Sequence, residues 1–389
     1  MKKRVTVFIA LCLAASLTAC GAAPDGQGEN NNGEEMTAMS VELKEENFKE
    51  LGRTYYNEGK IYCALSGTGV EFTFTGTACS VTVTGDDSSA NPAAKDIQPR
   101  IAIYVNGGRV IDDMIDRREK TYRVFESDTE QNVAVRIIKL SESPHSTFAI
   151  SDISVTGRDV APTADKEPFI EFIGDSITCG YGVDDEVAEH SFSTATEDVT
   201  KAYAYKTAEL LDADYSMVSF SGYGIISGYT GDGNKIPSQT VPQYYAKLGY
   251  SWTGGGFAPS EISWDFGRRQ PDIIVINLGT NDDSYCKNIE ERCLEYQREY
   301  VNFLKTVREH NPNALIIGAL GIMGQNLCPY AEAAIAQYSG ETGDKNVSYL
   351  TLDEQRPEDG FAANWHPTET THEKAAGRLA EKIREALAE

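Results

Sequence analysis

The chain has 389 residues, 41% of them hydrophobic. That is enough for a sizeable core, suggests two domains and excludes a disordered chain. Asp and Glu number 59 against 35 Lys and Arg, a formal net charge of -24; so acidic a surface repels phosphate backbones, so nucleic acid is not an expected partner.

Lys2, Lys3 and Arg4 precede an apolar run over residues 5–17, the length of a signal-peptide core and too short to span a bilayer. The run ends in Leu17-Thr18-Ala19-Cys20-Gly21. Small residues before a cysteine resemble the bacterial lipobox. Residues 1–20 therefore read as a lipoprotein signal peptide with Cys20 lipidated. The expected location is extracytoplasmic, anchored to a bacterial membrane at the cell surface or in the periplasm. Residues 21–40 hold little to bury and read as a flexible linker.

From 41 to 158 the pattern has period two. Val70, Phe72 and Phe74 alternate with polar residues, as do Val81 and Val83, then Ile101, Ile103 and Val105. Asn106-Gly107 is a hairpin turn signal, and residues 86–96 form a polar loop. Short strands with polar turns predict a β-sandwich, jelly-roll in type. Residues 159–166 read as a linker into a second domain over 166–389.

There the texture changes. Apolar strands are predicted at 169–173, 215–220, 273–278, 314–320 and 347–352, with a helix near 200–211. A long helix carries Ile289, Cys293, Tyr296, Tyr300, Phe303 and Val307 on one face, and a last helix carries Ala376, Leu379, Ala380, Ile383 and Leu387. Apolar strands with helical crossovers predict an α/β fold with a doubly wound parallel sheet. Six cysteines, Cys63, Cys79, Cys179, Cys286, Cys293 and Cys328, match no zinc spacing and read as buried free thiols.

Doubly wound folds bind ligands outside the carboxyl ends of their strands. Four blocks stand there: Gly174-Asp175-Ser176, Ser221-Gly222-Tyr223-Gly224, Gly279-Thr280-Asn281-Asp282 and Trp365-His366-Pro367. A serine hydroxyl needs a base, and an imidazole is the usual one. Ser176 is the candidate nucleophile and His366 the candidate base. The N–H groups of Ser176 and Gly222 and the amide of Asn281 are candidate oxyanion donors. Asp175 and Asp282 read as braces for their turns. Trp365 and Tyr223 flank the site as candidate sugar contacts, whereas Trp264-Asp265-Phe266 reads either as core or as a cleft wall. His372 is the rival base. Thr370-Thr371-His372-Glu373 reads as a capping box that turns it to solvent.

In this order the blocks resemble those of the SGNH (GDSL-type) hydrolases over residues 168–389. With a jelly-roll domain in front, the chain resembles carbohydrate esterase family two. The resemblance implies a flavodoxin-like sheet and a serine esterase that removes O-acetyl groups from plant polysaccharides such as xylan and glucomannan, with no metal or cofactor. The rivals are a general esterase or lipase of the same superfamily, a catalytically silent carbohydrate-binding lipoprotein, and an acetyltransferase. One departure stands out: the family's Asp, three residues before the histidine, is Ala363 here. A Ser–His dyad is expected, with Asn364 or a main-chain oxygen orienting the ring. The alternative is that Asp359 folds back to it.

Overall fold

The computed structural model describes residues 37–252 and 256–388. The predicted signal peptide, Cys20 and most of the predicted linker lie outside the described residues.

The first half is antiparallel β-structure. Its strands are β1 (Ala38–Ser40), β2 (Lys49–Leu51), β3 (Thr54–Asn57), β4 (Lys60–Cys63), β5 (Gly69–Gly85), β6 (Arg100–Val105), β7 (Gly108–Met114), β8 (Glu119–Lys139) and β9 (Phe148–Pro162). They are hydrogen-bonded in the order β3-β4-β9-β5-β8-β6-β7, with β1 on β9 and β2 on β5. Strand β5 shows why alternation alone is an incomplete guide. Val70, Phe72 and Phe74 are buried at even positions, Cys79, Val81 and Val83 at odd ones. The β5–β8 register shifts between Gly76 and Ala78 and again between Cys79 and Ser80. These bulges change the parity, so both halves of one strand feed the same core. Asn106 and Gly107, at φ of 49° and 83°, close the β6–β7 hairpin as their sequence predicts.

Two boundaries differ from the sequence reading. Ala38–Ser40 already pairs with β9, so the linker ends earlier than residue 40. Strand β9 runs through Pro162, because residues 161 and 162 continue its pairing with β5 where a linker was expected.

The second half is a parallel sheet of β10 (Phe169–Gly174), β11 (Asp214–Ser219), β12 (Ile273–Asn277), β13 (Leu315–Leu320) and β14 (Val347–Thr351), in the order β11-β10-β12-β13-β14. Its helices are α1 (Ser176–Cys179), α2 (Tyr203–Leu210), α3 (Thr280–Cys286), α4 (Glu290–His310), α5 (Cys328–Thr342) and α6 (Glu369–Ala388). Ile273 and Val275 pack with Tyr203, Ala376, Leu379 and Ile383, whereas Ile274 and Ile276 pack with Tyr296, Tyr300, Phe303 and Val307. Both faces are covered, which is why Ile273, Ile274, Val275 and Ile276 of β12 run apolar without alternation. Leu387 ends the α6 stripe exposed. Helices α3 and α5 were not anticipated. No described helix is long and apolar enough to cross a membrane.

The two halves belong to one compact unit. Leu51, Ala102, Ile138 and Leu140 of the β-domain share a core with Ile170 and Phe172 of β10. Buried Lys49 pairs with Asp214 at 2.5 Å. Buried Arg53 pairs with Glu171 at 3.0 Å and lies 5.2 Å from the rings of Tyr245, Trp264 and Phe266. Trp264 and Phe266 thus surround this cation between the domains rather than wall a cleft. All six described cysteines are buried free thiols.

Candidate active site

Strand β10 lies between β11 and β12, so the chain leaves it first to one side and then to the other. The crevice beyond β10 and β12 is the switch point where such sheets take ligands. Ser176 stands there as the first residue of α1. Asp175 caps that helix, its carboxylate accepting the Ile177 N–H at 3.0 Å. This is the brace expected of it, and burial pushes its pKa up to about 7. At the first helical position the N–H of Ser176 lies outside the helical ladder.

The Ser176 hydroxyl is 2.9 Å from Nε2 of His366, 190 residues away in sequence. Nδ1 of His366 is 3.1 Å from the main-chain oxygen of Asn364. A carbonyl only accepts, so Nδ1 carries the proton and Nε2 is left to accept from the serine. Asp359 does not fold back. Its carboxylate is held by Lys374 Nζ at 2.5 and 2.6 Å.

The His366 loop is strained. Asn364 and Trp365 sit at φ of 52° and 63°, in the left-handed region. Asn tolerates this conformation, but Trp does so rarely; such residues cost about 1–3 kcal/mol each and cluster at functional sites. The surroundings enforce it. Ala362 N–H donates to the His366 carbonyl at 2.8 Å, Asn364 N–H to His190 at 3.1 Å, and Gln355 Nε2 to the Trp365 carbonyl at 2.9 Å. The Asn364 amide oxygen accepts from the Tyr181 hydroxyl at 2.7 Å. The Tyr181 ring stacks on the imidazole, centroids 4.0 Å apart. Burial pushes the His366 pKa down to about 4, outweighing the carbonyls of Asn364 and Ala363 that favour the charged ring.

The Gly222 loop follows β11. Phe220 N–H bonds to Gly174, Ser221 N–H to the Glu142 carboxylate at 2.7 Å, Tyr223 N–H to Phe220 and Gly224 N–H to Gln239. Ile225, Ile226 and Ser227 all donate to the buried Asp282. In this run, among the described residues, only the N–H of Gly222 has no partner. Gly222 is at φ 80°, and a Cβ there would meet nothing within 4 Å, so the residue provides a turn and an open approach. Asp282, expected to hold the Asn281 loop, instead braces this one.

Asn281 is buried on α3, and its amide already donates to the Tyr223 carbonyl at 2.9 Å and to Asp175 at 3.2 Å. A buried amide seeks partners. To serve an oxyanion, it must share or exchange the longer bond to Asp175.

Of the two aromatic residues named from sequence, Trp365 is exposed beside Phe361. Tyr223 is a correction: its ring is buried among Phe220, Tyr244 and Tyr250, and what it brings to the site is its carbonyl. The aromatic wall comes from elsewhere. Phe192 stacks on Tyr181 at 4.1 Å, His145 lies 4.8 Å from Phe192, and the half-exposed Trp252 meets His145 edge-on at 4.9 Å. Tyr229, 63% exposed, donates its N–H to the Gly222 carbonyl.

The rival base is another correction. His372 is fully buried rather than facing solvent, and its Nδ1 accepts from the Tyr203 N–H at 3.1 Å. Its spacing to Ala376, Leu379 and Ile383 continues the buried stripe of α6, a signal the capping-box reading overlooked. Glu142, Cys179 and Glu197 also place ligand-type atoms within 4.8 Å of one another, wholly buried. The two carboxylates accept from the N–H groups of Ser221 and Glu142.

Comparison with known proteins agrees with this architecture. Residues 172–374 match the GDSL-like Lipase/Acylhydrolase family, and residues 51–163 match the Carbohydrate esterase 2 N-terminal family. An acetylxylan esterase/glucomannan deacetylase of Cellvibrio japonicus is 26% identical over 90% of this chain and 91% of its own. The cellulase/esterase CelE of Acetivibrio thermocellus is 29% identical over 84% of this chain, which spans only 38% of CelE. Among solved structures, the acetyl xylan esterase Est2A of Butyrivibrio proteoclasticus superposes with a TM-score of 0.79 at 25% identity, covering 90% of this chain and 98% of its own. A family two carbohydrate esterase of Clostridium thermocellum, in complex with cellohexaose, gives 0.75 at 26%, covering 88% and 99%. With a nucleophile-type serine at the switch point, the chain belongs to the GDSL-like Lipase/Acylhydrolase family, and the domain before it matches the Carbohydrate esterase 2 N-terminal family.

Proposed function

We propose that the chain is a serine esterase that removes O-acetyl groups from plant polysaccharides or their oligosaccharides, xylan and glucomannan among them, through an acetyl-serine intermediate. The observation that carries this reading is the 2.9 Å contact between Ser176 and a His366 ring whose other nitrogen is fixed on a carbonyl, beside the unpartnered N–H of Gly222.

His366 Nε2 takes the hydroxyl proton as Ser176 Oγ bonds to the acetyl carbon. The carbonyl oxygen becomes an oxyanion, received by the N–H groups of Ser176 and Gly222 and by the Asn281 amide. The tetrahedral species collapses, the bond to the sugar oxygen breaks, and the imidazolium returns its proton to that oxygen. Water then attacks the acetyl-serine, with His366 again as base; acetate leaves and Ser176 regains its proton. No metal or cofactor is called for by these steps. Sugars present apolar C–H faces, which suits Trp365, Trp252 and Tyr229 at the rim. The acetylxylan esterase and glucomannan deacetylase names of its relatives support the acetylated-glycan reading. Cys20 would carry the lipid that anchors the enzyme to a bacterial membrane, at the cell surface or in the periplasm.

The test is acetate release from acetylated xylan, acetylated glucomannan and a long-chain acyl ester. The expected result is turnover of the acetylated glycans that Ser176→Ala abolishes. Preference for the long-chain ester would make this a general esterase, and undiminished turnover in Ser176→Ala would remove the mechanism.

A further inference from the structure

The segment that carries Gly222 is held by two carboxylates, and they come from different domains. Asp282, next to Asn281, takes three N–H groups downstream of Gly222. The residue just upstream, Ser221, gives its N–H to Glu142, which lies in the loop after β8, in the β-domain. Glu142 is wholly buried. Its Oε2 also faces Cys179 Sγ of the nucleophile helix at 3.8 Å, and its Oε1 lies 3.4 Å from His145 Nε2.

Glu142 is itself locked in place. Its N–H donates to Glu197 Oε2 at 3.0 Å, and its carbonyl accepts from the buried Lys139 Nζ at 3.0 Å. Burial opposes a charge on Glu142, but the bonds from His145 and Ser221 prevail and its pKa falls below the usual value. Burial, and next the charge of Glu142, push Glu197 well above its own. The charged form is thus favoured on Glu142 and disfavoured on Glu197. A buried N–H left without an acceptor would seek another partner, so what the loop needs at this place is an acceptor of the right reach.

We propose that Glu142 is a positioning residue for the oxyanion loop: the β-domain reaches across and fixes Ser221, so that the adjacent Gly222 N–H is aimed at the substrate carbonyl. The inference rests on the esterase reading above and deepens it, because it makes the N-terminal domain part of the catalytic apparatus. Glu142 touches no substrate, so its removal acts on kcat through Gly222.

The experiment compares Glu142→Gln, Glu142→Asp and Glu142→Ala with wild type in kcat and KM on an acetyl ester, with melting curves on the same samples. Gln keeps an acceptor of the same reach without charge, whereas Asp keeps the charge and loses the reach. Asp and Ala are expected to lower kcat about tenfold or more with KM within about threefold, by analogy with a displaced oxyanion donor. Gln is expected to stay within about threefold of wild type. Lys49→Met, which breaks the Lys49–Asp214 contact at the far end of the sheet, controls for loss of the domain interface; it is expected to melt lower with kcat unchanged. The proposal is overturned if folded Asp or Ala variants keep kcat within twofold, if the loss lies wholly in KM, if Gln is as impaired as Ala, or if Lys49→Met lowers kcat equally. Should Ala fail to fold, Asp and Gln decide. Failure of the esterase reading would show separately, as undiminished turnover in Ser176→Ala.

Discussion

The loops bearing His366 and Gly222 close on the same serine by opposite means. The Gly222 loop is tied by carboxylates, Asp282 on one side and Glu142 on the other. Among the described residues, no carboxylate bonds to the ring of His366. A main-chain oxygen orients the imidazole, and backbone strain at Asn364 and Trp365 puts that oxygen in place. Negative charge has been spent on geometry in one loop and left out of the other. The consequence is a base whose ring is fixed but whose charge is not stabilised by an ion pair.

The largest effects test whether the two loops serve one reaction. Ser176→Ala and His366→Ala are each expected to cost about 10³-fold or more in kcat, and the double variant no more than the worse single one, because the two act as a unit. Multiplicative losses would mean that the 2.9 Å contact is not used. Next comes Asn281→Ala, at about 10²–10³ in kcat, the range for a lost oxyanion donor. Asn281 also ties Asp175 to the Tyr223 carbonyl, so a melting curve must accompany the rate. A loss of stability with kcat intact would make Asn281 a strut alone.

The comparison also predicts a pH profile. His366 works as a base when neutral, and burial lowers its pKa from 6.5 to about 4. The neutral form therefore survives to lower pH than in a free imidazole. The acid limb of kcat/KM, which reports the free enzyme, should fall tenfold per unit below about pH 4 and stay flat from about 5 upward. The same shift bears on stability. Between the folded and unfolded values the unfolded chain binds the proton and the native site does not, so this residue's contribution grows as pH rises through 4 to 6.5 and is lost below. A limb centred at 6.5 or higher would mean that a charge stabilises the ring after all.

Which parts of this were legible in sequence follows from distance along the chain. Ser176, Gly222, Asn281 and His366 stand at strand ends, and strand ends can be found from apolar runs. Asp175 was readable as a brace because its partner Ile177 is two residues away. Glu142, His145, Phe192 and Tyr181 were not, because each acts on a group that only the tertiary fold brings near; the cue for Glu142, a buried acid between serines at the end of a long strand, has no period. The β5 bulge hid a parity change inside a run that still looked alternating. His372 was misread because a cap pattern and a buried stripe overlapped, and the stripe prevailed once α2 packed against α6.

The smallest expected effect is the most discriminating for the dyad. Asp359 is the acid nearest in sequence to where a third triad member would stand, yet Lys374 holds both its oxygens, and its carbonyl accepts from Thr368. Asp359→Ala should therefore leave kcat within about tenfold of wild type. The carboxylate lost is not on the imidazole, and the cation released is exposed and can be solvated. What change there is should follow the loop geometry and be reproduced by Lys374→Ala, which breaks the same pair from the other side. If Asp359→Ala lost as much as His366→Ala while Lys374→Ala did not, the carboxylate would have to reach the ring during turnover. The His366 loop would then be built like any other triad, and the contrast with the Gly222 loop would vanish.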